Sequence, residues 1–288
     1  MPTLIDLRRR IKSVKNTQQV TQAMKTVSTA KFKKAQRTII EGRPHWHAVP
    51  AMLWVAARWG GPQAHPFLAA REERRIHVVI VTSDKGLCGA FNSNLMTRTR
   101  EFLKEKACLA EVRLALIGKK AVNFFRKLPY PVDRAFPDKN DKLREEDLRR
   151  LARDLMRMFL HQETDAVYLA YNEFKSVLAP RIVMTKILPV HPPEPAVFAP
   201  KPESPAWEPG ASIILDTLLP RFLEDQVCHA FFESQAAEQA ARMMAMDGAT
   251  RNAGELAHKY VLVLNKIRQA GITKELLEIM TAVEALKK

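Results

Sequence analysis

From Leu4 onward, residues of one kind recur on two lines seven apart. One line runs Leu4, Ile11, Gln18, Lys25, Phe32, Ile39, and the other Leu7, Val14, Thr21, Ser28, Ala35. The first two turns of this seam are wholly apolar, and small and polar residues then enter it. The pattern predicts a long helix in a coiled coil whose partner changes along its length. Gly42 and Pro44 are expected to bend or weaken that helix, since proline removes a backbone donor, and Gly60-Gly61-Pro62 to stop it. Helical from about residue 4 to residue 58, it would be roughly 80 Å long, more than a compact domain buries.

The C-terminal stretch has the same texture. From Ser212 to Leu286 the only proline is Pro220, and Ser234 to Met246 consists largely of strong helix formers. Its seam (Leu223, Val227, Ala230, Ser234, Ala237, Ala241, Met244) is mostly small, which lets two helices approach closely. Gly248 and Gly254 weaken this helix without breaking it. Each terminal helix has a stripe it cannot bury alone, so the two are expected to pair, antiparallel.

Between them the pattern changes to short apolar runs. Strands are expected at Ile76–Thr82, Val112–Ile117, Ala166–Tyr171 and Arg181–Leu188. Helices are expected at Leu95–Lys106, through Phe124 and Phe125, and at Leu143–Phe159. Strands alternating with helices predict an α/β sheet, parallel at least in part. Prolines 189, 192, 193, 195, 200, 202, 205 and 209 then mark an extended loop. The expected plan is an α/β fold in which a long antiparallel coiled coil, 1–58 with 211–288, carries an inserted Rossmann-like domain at 70–190 and a proline-rich loop at 191–210.

Composition narrows the function classes. The 288 residues are 47% hydrophobic and 27% charged, a folded composition, and no apolar run approaches the ~20 residues of a membrane span. Cys88, Cys108 and Cys228 are scattered, which excludes a disulfide framework and a cysteine zinc site and points to a reducing compartment. The net charge of +15 is concentrated: residues 1–58 hold twelve basic side chains against Asp6 and Glu41, whereas 211–288 carry −1. A basic arm calls for an acidic partner, whether nucleic acid, lipid or protein. Its basic residues are spread around the helix and, apart from Phe32, lack interleaved aromatics, which favours protein. An organellar transit peptide is also Arg-rich and acid-poor, but this pattern runs on for some forty residues.

Thr82-Ser-Asp-Lys-Gly-Leu-Cys-Gly-Ala-Phe-Asn92 sits where phosphate-cradling loops sit, after a strand and before a helix. It has only Gly86 and Gly89, in neither the G-x-G-x-x-G nor the G-K-[ST] arrangement. The expected role is a tight turn in which Asp84 or Asn92 satisfies backbone groups, with Cys88 a small buried thiol. The eight histidines show no metal-ligand spacing, and His45 and His47, two apart, would not share a helical face. Glu145, Glu146 and Asp147 read as a solvated helix start favoured by the helix dipole. Catalytic residues, cofactor and metal ligands are therefore all expected to be absent.

The chain as a whole resembles the gamma subunit of F-type ATP synthases. The resemblance rests on Asp6–Met24 (DLRRRIKSVKNTQQVTQAM), Ser83–Asn92 (SDKGLCGAFN), Glu238–Met243 (EQAARM) and Leu264–Ile279 (LNKIRQAGITKELLEI). It implies a non-catalytic rotor shaft of a bacterial proton-translocating enzyme, at the cytoplasmic face of the plasma membrane and bound to it only through the complex. The implied partners are the alpha and beta subunits of the catalytic hexamer, the epsilon subunit and the c-subunit ring, with no nucleic acid. Arg268, Gln269 and Thr273, with Met24 and Lys25, are the implied contacts to the beta subunit. Pro50 is an addition to the first helix, and Gly271 stands where the family commonly has serine, loosening the last helix by ~0.5–1 kcal/mol relative to a good helix former. Two other classes compete. A nucleotide-dependent α/β enzyme with helical arms would need a phosphate loop richer in glycine. A nucleic-acid-binding scaffold would need a second basic, aromatic surface.

Overall fold

The computed structural model describes residues 3–60, 65–137, 143–176, 181–191 and 211–286, apart from the side chains of 43–45, 47, 48, 51, 54, 57–60, 211 and 284–286. The proline-rich stretch 192–210 and the side chains of His45 and His47 thus lie outside the described residues. Two long helices, α1 (Leu4–Gly60) and α5 (Ala211–Leu286), flank the elements β1 (Arg75–Val81), α2 (Phe91–Ala107), β2 (Glu111–Ile117), α3 (Lys119–Phe125), β3 (Val132–Phe136), α4 (Glu145–Leu160), β4 (Ala166–Glu173) and β5 (Arg181–Leu188). The chain divides into one unit of residues 1–28 with 242–288 and another of residues 29–241.

In the larger unit the strands form one sheet in the order β3-β2-β1-β4-β5, parallel except for β5. The central strands are continuous apolar runs because both faces of the sheet are covered. Ile76, Val78 and Ile80 of β1, with Leu114 and Leu116 of β2, pack with residues of α2 and α3. Val79 and Val81 face the other way, with Leu151, Leu155 and Phe159 of α4 and Val227 and Phe231 of α5. Antiparallel α1 and α5 meet in this unit where Ala35 and Ile39 cluster with Ala236, and where the Trp46 ring stands edge-on to His229 at 4.4 Å.

The sequence leads one to expect a weak point at Gly42 and Pro44, yet α1 runs through both, and through Pro50, to Gly60. Gly42 has a packing reason: a Cβ there would lie 2.6 Å from the Trp46 ring. Burial of one face against α5 offsets the donors the prolines remove. On α5 the expected stripe is buried as far as Ala237. Met244 is instead 36% exposed, and Arg242 and Met246 are buried in its place. A strict seven-residue repeat drifts against 3.6 residues per turn, and around 236–240 α5 is buried on several sides at once.

Strand β3 is not apparent in the apolar pattern, since its five residues are half polar and lie between Pro131 and Pro137. The pairing of β2 with β3 slips between Leu114 and Ala115, leaving Asp133 as the extra residue. That slip turns its carboxylate to the buried His77, 2.9 Å away. At the start of α4, Asp147 accepts the Arg144 amide at 2.9 Å, so the acidic helix start caps as well as solvates.

Glu73, just before β1, ties three elements together. Its carboxylate accepts Lys106 of α2 at 2.7 Å, Lys186 of β5 at 2.8 Å and the Tyr168 hydroxyl of β4 at 2.8 Å. Burial pushes this carboxyl up, but hydrogen bonds from Lys106, Lys186 and Tyr168 more than offset it and hold it down at about 2. A carboxylate depressed by folding stabilises the fold above its unfolded value of about 4.5, and that stabilisation is lost as pH falls from there towards 2. Glu73→Gln should lower unfolding free energy by about 1–2 kcal/mol at pH 7. In urea titrations the difference from wild type should shrink steadily between pH 4.5 and 2; an unchanged gap at pH 2.5 would refute the assignment.

Candidate functional site

The sheet order has its switch point between β1 and β4, where a doubly wound fold opens the crevice that takes dinucleotides. Here α5 fills it. Ser234 donates to the carbonyl of Val81 at 3.4 Å, Glu233 accepts the Phe174 amide at 2.8 Å, and Ala237 packs with Cys88 and Phe91. The loop itself is turned inward. Asn92 accepts the Ser83 amide at 3.1 Å and donates to Cys88 Sγ at 3.2 Å, while Asp84 accepts the Lys119 amide at 3.0 Å. These contacts are those of a tight turn, and Cys88 is a buried thiol, 1% exposed. The Ser83 amide, Asp84 and Asn92 are engaged in the turn, and α5 stands in the crevice beside it. Calorimetric titration of Mg-ATP into the purified chain should therefore give no binding heat. A Kd below about 100 μM would overturn this reading of the crevice.

The smaller unit carries the residues singled out from sequence. Thr3 stands just before helix α1, where its hydroxyl accepts the Asp6 amide at 3.2 Å and donates to the Asp6 carboxylate at 2.7 Å. Leu7 is buried against α5, and further along the seam the contacts become polar. Thr250 donates to the Thr21 hydroxyl at 2.8 Å, and Lys25 reaches the Asp247 carboxylate at 2.6 Å. Asp247 also takes Arg251 of its own helix at 2.6 Å. The hydrogen bond from Lys25, with Arg251 beside it, holds the Asp247 carboxyl below the usual carboxylate range. Arg8, Arg9, Arg10, Lys12 and Lys15 leave the outer faces of α1 exposed and basic.

Each step of three or four residues forward on α1 is matched by an equal step backward on α5. On that register Leu4, the first residue of α1, falls opposite about residue 267. Beyond it α5 has no α1 partner, and every described side chain from Arg268 to Val283 is exposed. Arg268, Gln269 and Thr273 stand at the root of this bare end, where the Thr273 hydroxyl donates to the Gln269 carbonyl at 2.9 Å. Met24 and Lys25 are half-buried, some twenty residues and roughly 30 Å back along the pair. The five residues thus form two groups rather than one site.

Sequence reasoning did not single out the apolar residues of the bare end: Ile272 (50% exposed), Leu276 (57%), Leu277 (61%), Ile279 (60%), Met280 (69%) and Val283 (50%). Positions 272, 276, 279 and 283 make one stripe at helical spacing. The signal was present in the lengths, since α5 has 76 residues and α1 has 57. Among the described residues no helix is long and apolar enough to cross a membrane, and no group of three or more His, Cys, Asp or Glu is arranged to hold a metal ion.

Comparison with known proteins agrees along the whole chain. The family model described as ATP synthase matches residues 3–286. The ATP synthase gamma chain of Desulforudis audaxviator (strain MP104C) is 41% identical over 298 residues, covering 100% of both chains. That of Solibacter usitatus (strain Ellin6076) is 44% identical over 289 residues, covering 99% of each. Among solved structures, a chain of the Euglena gracilis mitochondrial ATP synthase (OSCP/F1/c-ring, rotational state 3) matches with TM-score 0.65 at 20% identity, over 99% of this chain and 96% of that one. A chain of the Tetrahymena thermophila mitochondrial ATP synthase (central stalk/c-ring) matches with TM-score 0.60 at 21% identity, over 80% and 99%. These likenesses share the fold of paired terminal helices with an inserted α/β sheet. The chain belongs to the ATP synthase gamma-chain family, a non-catalytic rotor subunit serving ATP synthesis and proton transport.

Proposed function

We propose that the bare end of α5 turns inside the ring of alpha and beta subunits, and that this is how the chain passes rotation to the catalytic sites. The observation that carries the reading is the unpaired apolar stripe from Ile272 to Val283. A single helix of this length is marginal in water, and a stripe of large apolar side chains at its end calls for an enclosing partner. Apolar contacts are non-directional, so a helix held by them can rotate without breaking a set of hydrogen bonds at each step. Arg268, Gln269 and Thr273 stand where the apolar tip gives way to polar surface and contact loops of a beta subunit. Arginine's fork of five donors suits carboxylates or backbone carbonyls there. Met24 and Lys25 form a second contact level, Lys25 through the part of its side chain that Asp247 leaves exposed. The basic outer faces of α1 meet an acidic loop at the base of the beta subunits.

In the same reading residues 1–58 with 211–288 are the shaft, 70–190 is a body near the epsilon subunit and the c-subunit ring, and the proline-rich 191–210 is a loop of that body. The chain associates with the cytoplasmic face of the bacterial plasma membrane only through these partners. Replacing both Arg268 and Gln269 by Ala should leave the thermal unfolding of the chain almost unchanged, since both are exposed. ATP synthesis by reconstituted vesicles should fall roughly fivefold, the scale of one lost interface contact worth about 1 kcal/mol. Wild-type synthesis and hydrolysis in the double variant would show that these residues are not a functional contact.

A further inference from the structure

We infer that Lys25 and Asp247, backed by Thr21 and Thr250, are positioning residues that set the axial register of α1 against α5, and with it the length of α5 that stands bare. Few residues here would otherwise fix the register. Leu7 near the start of α1 and Met246 of α5 are large and buried, but the other buried positions are Thr21 and Ser28 of α1 and, beyond Met246, Ala253 and Ala257 of α5. Small side chains leave shallow holes, so neighbouring registers differ little in packing, and a polar pair at the seam is the device that separates them. Gly254 belongs to the same arrangement: the Gln18 side chain lies over it, and a Cβ there would fall 2.9 Å from its Nε2.

A slip of one heptad shifts the pair by about 10.5 Å. It would carry Lys25 opposite Ala240 or Gly254, neither of which has a side-chain acceptor. Asp247 would keep only Arg251, four residues along its own helix. The observed register joins a cation to a carboxylate at 2.6 Å and, about one turn away, a hydroxyl to a hydroxyl at 2.8 Å. It is also the register in which Leu4 meets residue 267 and the bare end begins at Arg268. A displaced register would draw the bare end in or push it out by two helical turns, without any change in the residues at its tip.

The consequence for coupling rests on the rotor reading above, whereas the register itself does not, so two measurements keep their failures apart. Spin labels at the exposed positions Ser13 and His258 report the register in the full chain as a distance. Reconstituted enzyme reports protons pumped per ATP hydrolysed. Wild type should show one narrow distance. Asp247→Lys, which opposes two cations, should add a population displaced by about 10 Å and lower the pumping ratio about twofold or more. The exchanged pair Lys25→Asp with Asp247→Lys should restore the single distance, and Lys25→Arg should retain it. A loss of folding alone would not return a single distance on exchange of the charges. If Asp247→Lys fails to assemble, Asp247→Asn removes the charge at constant volume and should broaden the distance in the same direction. A single wild-type distance in both Asp247 variants would overturn the inference. So would failure of the exchanged pair to restore the distance. A displaced register with unchanged pumping would overturn only the step from register to coupling.

Discussion

Everything in this chain depends on two helices, far apart in sequence, finding one another. Each carries a stripe that water disfavours and that its own neighbours in sequence do not cover. Within the larger unit the stripe is filled by Ala35 and Ile39 against Ala236 and by Trp46 against His229. Within the smaller unit it is filled by Leu7 and then by polar pairs. Tertiary burial rather than propensity holds the covered stretches of these helices, which is why α1 survives Gly42, Pro44 and Pro50 and α5 survives Pro220. Local rules expected damage at those positions, and long-range packing overrode it.

The same pairing decides what the α/β sheet cannot do. A sheet ordered β3-β2-β1-β4-β5 has an obvious place for a ligand, beyond the ends of β1 and β4. Glu233, Ser234 and Ala237 of α5 stand there, bonded to Phe174 and Val81 and packed on the Cys88 turn. A fold that elsewhere binds nucleotides is here an anchor for a helix. The short glycine complement of 82–92 follows from that, because a loop packed under a helix has no phosphate to cradle. Fold alone would have suggested the wrong chemistry, and the site corrects it.

How much of this was legible in the sequence depended on the kind of signal. The two long helices and the strands β1, β2, β4 and β5 announced themselves by period, since one buried face or two leaves a regular apolar trace. Strand β3 left none: it is short, lies at the sheet edge, and owes its pairing to a register slip that periodicity cannot register. The seam of α5 was read correctly to Ala237 and lost by Met244, where a seven-residue count no longer follows the buried side. The Lys25–Asp247 pair was half legible: Lys25 stood out as a charge in a heptad seam, but its partner lies more than two hundred residues on and belongs to no local pattern.

The bare end of α5 is the point at which packing stops explaining the sequence. Up to residue 267 much of α5 is covered by α1 or by the sheet, although Leu256, Leu262 and Val263 are already exposed. Past Arg268 the helix keeps its apolar spacing, at Ile272, Leu276, Ile279 and Val283, and none of the described residues covers it. A soluble monomer under no other constraint gains nothing from four such side chains on one face, and it loses solubility by them. Their presence is therefore a demand made from outside the chain. In the proposed rotor arrangement the ring of alpha and beta subunits meets it with a surface that is concave, apolar and tolerant of the helix turning within it. In that arrangement the polar residues Arg268, Gln269 and Thr273, exposed at the root of the bare end, stand at the rim of the surface rather than inside a greased sleeve.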